Sequence, residues 1–180
     1  MMLLTFGHGT AESTELLRLL RDAGVAQVVD VRRVPASKRN PDVAHDAMSR
    51  WLSTGGIEYR WDERLGGWRK VVPDTLDTAL ANRAFCGYAG HMRSVEFLDA
   101  IEALLSGARR QRTAIMCAES VWWRCHRKLI ADFLVLARGV DVWHLMHDGT
   151  FQEHRPSEEA RLVPEERVLV YDADQPPLTP

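Results

Sequence analysis

The chain has 180 residues, of which 46% are hydrophobic and 27% are charged, which is the composition of a soluble globular domain with its own core. No stretch approaches 18 consecutive apolar residues, so a membrane span is not predicted. The first eight residues lack the basic and apolar regions of a signal peptide, and three cysteines, an odd number, argue against a disulfide framework. We therefore expect a cytoplasmic protein with reduced thiols.

The net charge of −2 is divided unevenly along the chain. Residues from Met146 onward include eight acids and three Lys or Arg, whereas the preceding residues include 17 acids and 20 Lys or Arg. A mildly basic body with an acidic tail is compatible with a phosphate-bearing partner and also with an ordinary solvated surface. Charge alone therefore leaves nucleic-acid binding open.

The first half of the chain alternates predicted strands and helices. Short apolar runs bounded by turn residues predict strands, and leucines at helical spacing after a capping residue predict helices. The predicted strands are 3–6, 26–31 and 57–61, and the predicted helices start near Ser13 and Asp42 and end at Gly24 and Gly55. Residues 62–92 have the least regular pattern.

The second half continues the alternation. Ser94 caps a predicted helix through Leu105, and a buried strand at 112–116 leads to a helix at 129–136. A last core strand is predicted at 140–145, and one further strand-like piece at 167–171.

This order of elements predicts a single α/β domain whose mostly parallel sheet carries helices on both faces, in three α/β/α layers. We place this domain at residues 1–147 and an acidic C-terminal extension at 148–180. Ligands of such sheets bind beyond the carboxyl ends of the strands. His8, Asp30, Arg32 and Cys117 end or follow predicted strands, so a doubly wound strand order makes them neighbours at that edge.

Cys117 is the first candidate for a nucleophile. It leaves a predicted strand and faces the start of a predicted helix, where backbone N–H groups and the helix dipole favour an anion or a thiolate. Arg124 and Arg127 follow in the same segment, and we assign them, with Arg32 and Asp30, to anion binding. The alternative interpretation of Cys117 is a small buried hydrophobic residue.

His8 and Glu119 are the candidates for proton transfer, His8 because it lies in a glycine-flanked loop and Glu119 because it follows Cys117 by two residues. A plain solvated carboxylate remains the alternative for Glu119. His126 shares a helical face with apolar residues, so we interpret it as a structural histidine. Together with Cys125 these residues raise a metal alternative, but Cys-x7-Cys-His lacks the short chelate spacing of structural zinc sites, and no metal site is predicted.

Basic residues are concentrated in two loops. Arginine suits bidentate phosphate contact and aromatic rings can stack on bases, whereas ordinary surface ion pairs are the alternative. The basic residues are Arg32, Arg33, Lys38 and Arg39 in one loop and Arg124, Arg127 and Lys128 in the other, and the aromatic residues are Tyr59, Trp61 and Trp68.

Several of these segments, in this order and spacing, resemble the bacterial and archaeal family called domain of unknown function 488. The resemblance covers most of the chain and implies a compact α/β domain, but it brings no agreed reaction. The matching segments are Gly7-His8, Asp30-Val31-Arg32 with Pro35 and Asn40, Leu65-Gly66-Gly67, Phe85 to Ala89, Met116 to Glu119 and Cys125-His126-Arg127.

We therefore expect a small enzyme that acts on an anionic or nucleotide-like substrate. Cys117 would supply a thiolate, Arg32 and Arg127 would bind the anion, and His8 and Glu119 would transfer protons. The alternatives are a non-catalytic module that binds nucleic acid or a nucleotide, and a metal-dependent enzyme. The sequence identifies no cofactor, substrate or oligomeric state, and no membrane partner is expected.

Overall fold

A six-stranded sheet forms the centre of the computed structural model, which describes residues 1–37 and 40–172. The strand order is β3-β2-β4-β1-β5-β6, in which β6 alone runs antiparallel to its neighbour. The strands are β1 (Met2–Gly7), β2 (Gln27–Asp30), β3 (Glu58–Trp61), β4 (Thr113–Cys117), β5 (Asp141–Leu145) and β6 (Phe151–Glu153).

Helices cover both faces of this sheet, which confirms the predicted fold class. On one face two helices pack their leucines and methionine against Leu4, Phe6 and Met116 of the sheet. On the other face three helices pack against Leu3, Val29 and Ile115. The first pair is α1 (Ser13–Asp22) and α2 (His45–Thr54), and the second set is α3 (Arg83–His91), α4 (Val95–Ala108) and α5 (Arg127–Arg138).

Helix α3 lies in the region whose sequence pattern is least regular. Gly87 and Gly90 both fall inside it, and glycine disfavours an isolated helix by about 1 kcal/mol per residue. Packing stabilises the helix instead, because Tyr88 and Ala89 are fully buried in the core. Tyr88 also donates its hydroxyl hydrogen bond to the carbonyl of Leu65, which joins α3 to the preceding loop.

The C-terminal part of the chain folds against the same core. After β6, a hairpin of β7 (Ala160–Val163) and β8 (Val168–Tyr171) forms a second, two-stranded sheet. Strand β8 is buried, and its Tyr171 hydroxyl donates to the carboxylate of Asp132 on α5 at 3.0 Å. Residues 173–180 of the predicted extension, and the predicted basic residues Lys38 and Arg39, lie outside the described residues.

The strand register determines which residues meet at the carboxyl edge. Gly7 of β1 lies beside Cys117 of β4, and Asp30 of β2 lies beside Met116. Successive side chains of a strand point to opposite faces. The edge therefore presents two different sets of side chains, one on each face of the sheet. Among the described helices, none has the length and apolar character needed to cross a bilayer.

Candidate functional site

Two cysteines and a histidine meet at the end of β4. Cys117 is the last residue of that strand, and a loop with a 3-10 turn at Trp122–Arg124 brings Cys125 back beside it. The two sulfurs are 2.8 Å apart, and His126 Nδ1 lies 3.8 Å from Cys117 Sγ and 3.6 Å from Cys125 Sγ. The sulfurs are nearly enclosed, since Cys117 is 5% and Cys125 4% exposed.

The ring of His126 is held in a fixed orientation by the loop after β2. Its Nε2 lies 2.9 Å from the carbonyl oxygen of Val31, a group that can only accept a hydrogen bond. Nε2 therefore carries a ring proton, and Nδ1 faces the two sulfurs. Tyr88 packs against the other side of the ring, with its centroid 5.0 Å away.

Arg127, the first residue of α5, places a buried positive charge beside this cluster. It is 1% exposed, donates from Nη1 to Thr5 Oγ1 at 3.2 Å, and donates from Nη2 to the carbonyl of Glu119. Its Nε has no hydrogen-bond partner among the described residues, and no carboxylate of those residues forms an ion pair with it. A buried cation without a carboxylate favours a neighbouring anion, here a thiolate.

The two thiols differ in their tendency to ionise. Burial opposes ionisation of Cys125, but the hydrogen bond from Cys117, followed by His126 and Arg127, lowers the pKa of Cys125 well below its usual value. The same hydrogen bond, followed by burial, raises the pKa of Cys117. Because the two thiols share one hydrogen bond, a single thiolate belongs to the pair, and Cys117 as the nucleophile stays a prediction.

The predicted partners on β2 and in the first loop lie on the opposite face of the sheet. Arg32 is buried there and donates from Nε to Asp30 Oδ1 at 2.9 Å, while its Nη2 also donates to the carbonyl of Val43 at 2.8 Å. Tyr59 donates its hydroxyl to the same carboxylate at 2.8 Å. The Arg32 guanidinium is therefore already neutralised by Asp30.

His8 belongs to this second group. Its Nε2 lies 3.3 Å from Arg32 Nη1, and its Nδ1 lies 2.9 Å from the carbonyl of Gly9. Burial, followed by the charge of Arg32, lowers the pKa of His8. Only its backbone reaches the cysteine strand, because the His8 N–H donates to the carbonyl of Cys117 at 3.0 Å.

The side chains of Glu119 and Arg124 are exposed on the loop that joins the two cysteines. It is the backbone carbonyl of Glu119 that contacts Arg127. Arg124 immediately precedes Cys125 and reaches solvent. Their predicted roles in proton transfer and anion binding stay predictions.

A buried chain of polar groups behind Arg127 was not predicted from the sequence. Thr5 Oγ1 lies 2.7 Å from His144 Nδ1, and His144 Nε2 lies 3.0 Å from His154 Nδ1. His154 Nε2 in turn lies 2.9 Å from Asp132 Oδ1. Trp122 stacks on His144 with ring centroids 4.0 Å apart. Asp132 inside the apolar helix pattern was the sequence signal for this network.

The model of one protein family, "Domain of unknown function DUF488", matches residues 12–134 of the chain. This match covers more than half of the sequence. The chain belongs to the DUF488 family. No curated protein matches it.

The DUF488 chain also resembles two crystal structures of a DUF442 protein from Shewanella putrefaciens CN-32 that has a provisional phosphatase designation, one at 1.40 and one at 1.60 Å resolution. The first is 18% identical, with a TM-score of 0.44 over 76% of this chain and 67% of the other. The second is 17% identical, with a TM-score of 0.43 over 75% and 64%.

Most of the segments that carry the DUF488 resemblance surround the cysteine cluster. Besides the two cysteine segments themselves, the Leu65-Gly66-Gly67 turn reaches the histidine ring: a Cβ on Gly67 would lie 3.0 Å from His126 Nδ1. Tyr88, from the fourth segment, contacts both this turn and the same ring. The Asp30-Val31-Arg32 segment contributes the Val31 carbonyl.

Proposed function

We propose that this DUF488 protein is a small enzyme that acts on an anionic, nucleotide-like substrate at a thiolate centre formed by Cys117, Cys125 and His126. The observation that carries the proposal is the meeting of these three groups beside Arg127, a buried cation without a carboxylate partner among the described residues. Reactive thiols occur in such positively charged surroundings. Three free cysteines also suit a reducing cytoplasm, where we propose that the protein acts.

The rim of the centre supports a substrate with a flat ring and a negative charge. Trp68, which follows Gly67, is 90% exposed, and Trp123, two residues before Cys125, is 50% exposed. Arg124 is exposed beside Trp123, and exposed Arg33 lies against the glycine turn, where a Cβ on Gly66 would lie 2.7 Å from its Cα. Exposed tryptophans offer stacking surfaces for bases, and arginines bind phosphate.

The proposed centre leaves out Glu119, whose side chain is exposed, and three predicted residues on the opposite face of the sheet. Asp30 and Arg32 neutralise each other on the opposite face of the sheet, and His8 is hydrogen-bonded within that group. An arginine that is already paired with a buried carboxylate is a poor anion receptor. Arg124 and Arg127 remain in the proposal, the first as a rim contact and the second as the charge that favours a thiolate.

Calorimetry of reduced protein with AMP, ADP and pyrophosphate, followed by mass spectrometry of the bound material, tests the proposal. We expect at least one of these anions to bind, and its affinity to fall in Arg124→Ala and Trp68→Ala. We also expect the wild-type protein to convert a bound nucleotide chemically, and Cys125→Ser to bind without converting it. Cys86→Ser is the matched control, because Cys86 lies on α3 away from the cluster.

A second candidate, the non-catalytic nucleotide- or nucleic-acid-binding module, is favoured by the same exposed tryptophans. It predicts binding without conversion, equal affinities in the wild type and Cys125→Ser, and a steep loss of affinity with salt. Binding with conversion that depends on Cys125 supports the enzyme. Failure of all three anions to bind contradicts the enzyme and the nucleotide-binding module.

A further inference from the structure

We propose that Cys117, Cys125 and His126 form a binding site for one thiophilic divalent cation of the Zn²⁺ class, whose fourth coordination position faces the Gly66-Gly67 turn. This inference deepens the proposed function by naming a cofactor class for the same centre. It rests on three ligand atoms that all lie within 4.8 Å of one another.

The donor set defines the class of cation. Two thiolates and an imidazole nitrogen are soft to intermediate ligands, which favour Zn²⁺ and related transition metals over Mg²⁺ or Ca²⁺. A Cys₂His set with one open position is a known arrangement for catalytic zinc. Seven residues separate Cys117 from Cys125, and the 3-10 turn at Trp122–Arg124 closes that spacing in space.

The environment of His126 is that of a metal ligand. A ligating histidine usually donates its other ring N–H to a carbonyl or carboxylate, which fixes the tautomer and the ring orientation. Nε2 makes this contact with the Val31 carbonyl at 2.9 Å. Nδ1 is left free to coordinate, and it faces both sulfurs at 3.6 and 3.8 Å.

The sulfur separation sets a condition on cation binding. Zn–S bonds of about 2.3 Å at tetrahedral angles place two sulfurs roughly 3.8 Å apart, whereas Cys117 Sγ and Cys125 Sγ are 2.8 Å apart. The sulfurs must therefore separate by about 1 Å when the cation enters. The backbone of the connecting loop is anchored by Arg127 at the Glu119 carbonyl, so rotation of the cysteine side chains must supply this separation.

The charges around the site predict the nature of the fourth ligand. A divalent cation with two thiolates and a neutral imidazole has no net charge, which leaves the buried Arg127 cation uncompensated. An anionic fourth ligand, such as hydroxide or a substrate oxygen, restores neutrality. Gly67 borders this position, because a Cβ there would lie only 3.0 Å from His126 Nδ1 and would crowd it.

Titration of reduced, chelator-treated protein with Co²⁺, followed by competition with Zn²⁺, tests the site. We expect one Co²⁺ per chain, with a thiolate-to-cobalt charge-transfer band and the d–d bands of tetrahedral Co²⁺. Cys117→Ser, Cys125→Ser and His126→Ala should each weaken binding by roughly 100-fold or more, since loss of outer-sphere partners alone costs about 10–100-fold. Cys86→Ser should retain the band and the affinity.

A second pair of variants tests the open position without removing a ligand. Gly67→Ala should weaken Co²⁺ binding by about 10-fold or more because its methyl group enters the space beside Nδ1. Gly90→Ala is the matched control, because its added Cβ would make only ordinary contacts, 3.6 Å from a Val72 methyl group. Equal affinities in Gly67→Ala and the wild type contradict the proposed fourth position.

The outcomes separate this inference from the proposed function. No charge-transfer band in the reduced wild type, or an unchanged band in Cys117→Ser and Cys125→Ser, overturns the cation site. If the cation site is overturned but the chelator-treated protein still binds AMP, ADP or pyrophosphate, the proposed substrate class is supported without the cation. A cation bound with the expected spectrum, together with no binding of AMP, ADP or pyrophosphate, supports the cation site and contradicts the proposed function.

Discussion

Two buried arginines at the same sheet edge differ in whether a carboxylate neutralises their charge. Arg32 is paired with Asp30, whereas Arg127 is bound by a hydroxyl and by backbone carbonyls. Both lie within the matching segments of the DUF488 resemblance, and sequence alone does not distinguish them. The difference arises from the strand register, which sends Asp30 to one face of the sheet and Cys117 to the other.

Arg32→Met should therefore affect stability rather than ligand binding. Removing one partner of a buried ion pair costs about 3–5 kcal/mol, because the other charge is left uncompensated. We expect urea unfolding to show a loss of this size, with an unchanged affinity for AMP in the folded protein. An AMP affinity reduced tenfold with unchanged stability would assign Arg32 to anion binding instead.

Trp68 is a residue under backbone strain. Its φ is 63°, in the left-handed region that bulky residues rarely adopt, and its side chain is 90% exposed. Trp68→Gly should raise the free energy of unfolding by about 1 kcal/mol, since glycine adopts this conformation without penalty. The same variant should bind AMP more weakly. For the gain in stability, Trp123→Gly is the control, because Trp123 is also exposed but lies outside the left-handed region. Equal AMP affinity in Trp68→Gly and the wild type would contradict a role in stacking.

At the scale of elements, strand β5 and helix α5 enclose an acid-sensitive network. Burial, followed by the charges of His154 and Arg127, lowers the pKa of His144 from 6.5 to about 3. The unfolded chain then binds a proton at His144 below pH 6.5, whereas the folded chain does not until about pH 3. Stability should fall with decreasing pH across this window, by up to about 1.4 kcal/mol per pH unit from this group.

Urea unfolding at pH 7 and pH 5 measures this effect. We expect the wild type to lose about 2 kcal/mol more than His144→Gln over this interval, because glutamine does not titrate. The comparison between the two proteins removes the contributions of other histidines, such as His8 and His91. Equal pH dependence in both proteins would show that His144 is not the group responsible.

The elements differ in how far their sequence predicted them. Strands β1, β2 and β4 and helix α4 have strong apolar patterns and capping residues, and the structure confirms them. Helix α3 has two glycines and depends on packing, so its local pattern did not predict it. The cysteine cluster depends on a loop that folds back through a 3-10 turn, and the distance between Cys117 and Cys125 along the chain conceals this contact.

At the scale of the whole molecule, the acidic C-terminal region contributes to the core. Leu169 and Tyr171 of β8 are fully buried. Arg93, which follows the C-terminal end of α3, donates from Nη1 to the carbonyl of Leu169 at 3.0 Å. Burying a large apolar side chain contributes about 1.5–3 kcal/mol, a substantial part of the 5–15 kcal/mol that stabilises a typical domain.

A chain that ends at Glu166 should therefore lose most of its stability. We expect its urea unfolding midpoint to drop sharply, or its near-UV circular dichroism to disappear, while a control chain that ends at Asp172 keeps all described residues and unfolds like the wild type. If the shorter chain is as stable as the control, the hairpin is an appendage to an independent domain of residues 1–147.

The central claim is that an anionic ligand binds over Cys117 and Cys125. Its most direct test is the rate at which iodoacetamide alkylates each cysteine of reduced, chelator-treated protein, resolved by mass spectrometry, with and without AMP. At an AMP concentration ten times its Kd, we expect alkylation of Cys117 and Cys125 to slow by about tenfold, since only the free protein reacts. Cys86 should react at the same rate in both samples and serves as the internal control. Rates for Cys117 and Cys125 that do not change with AMP would contradict the account.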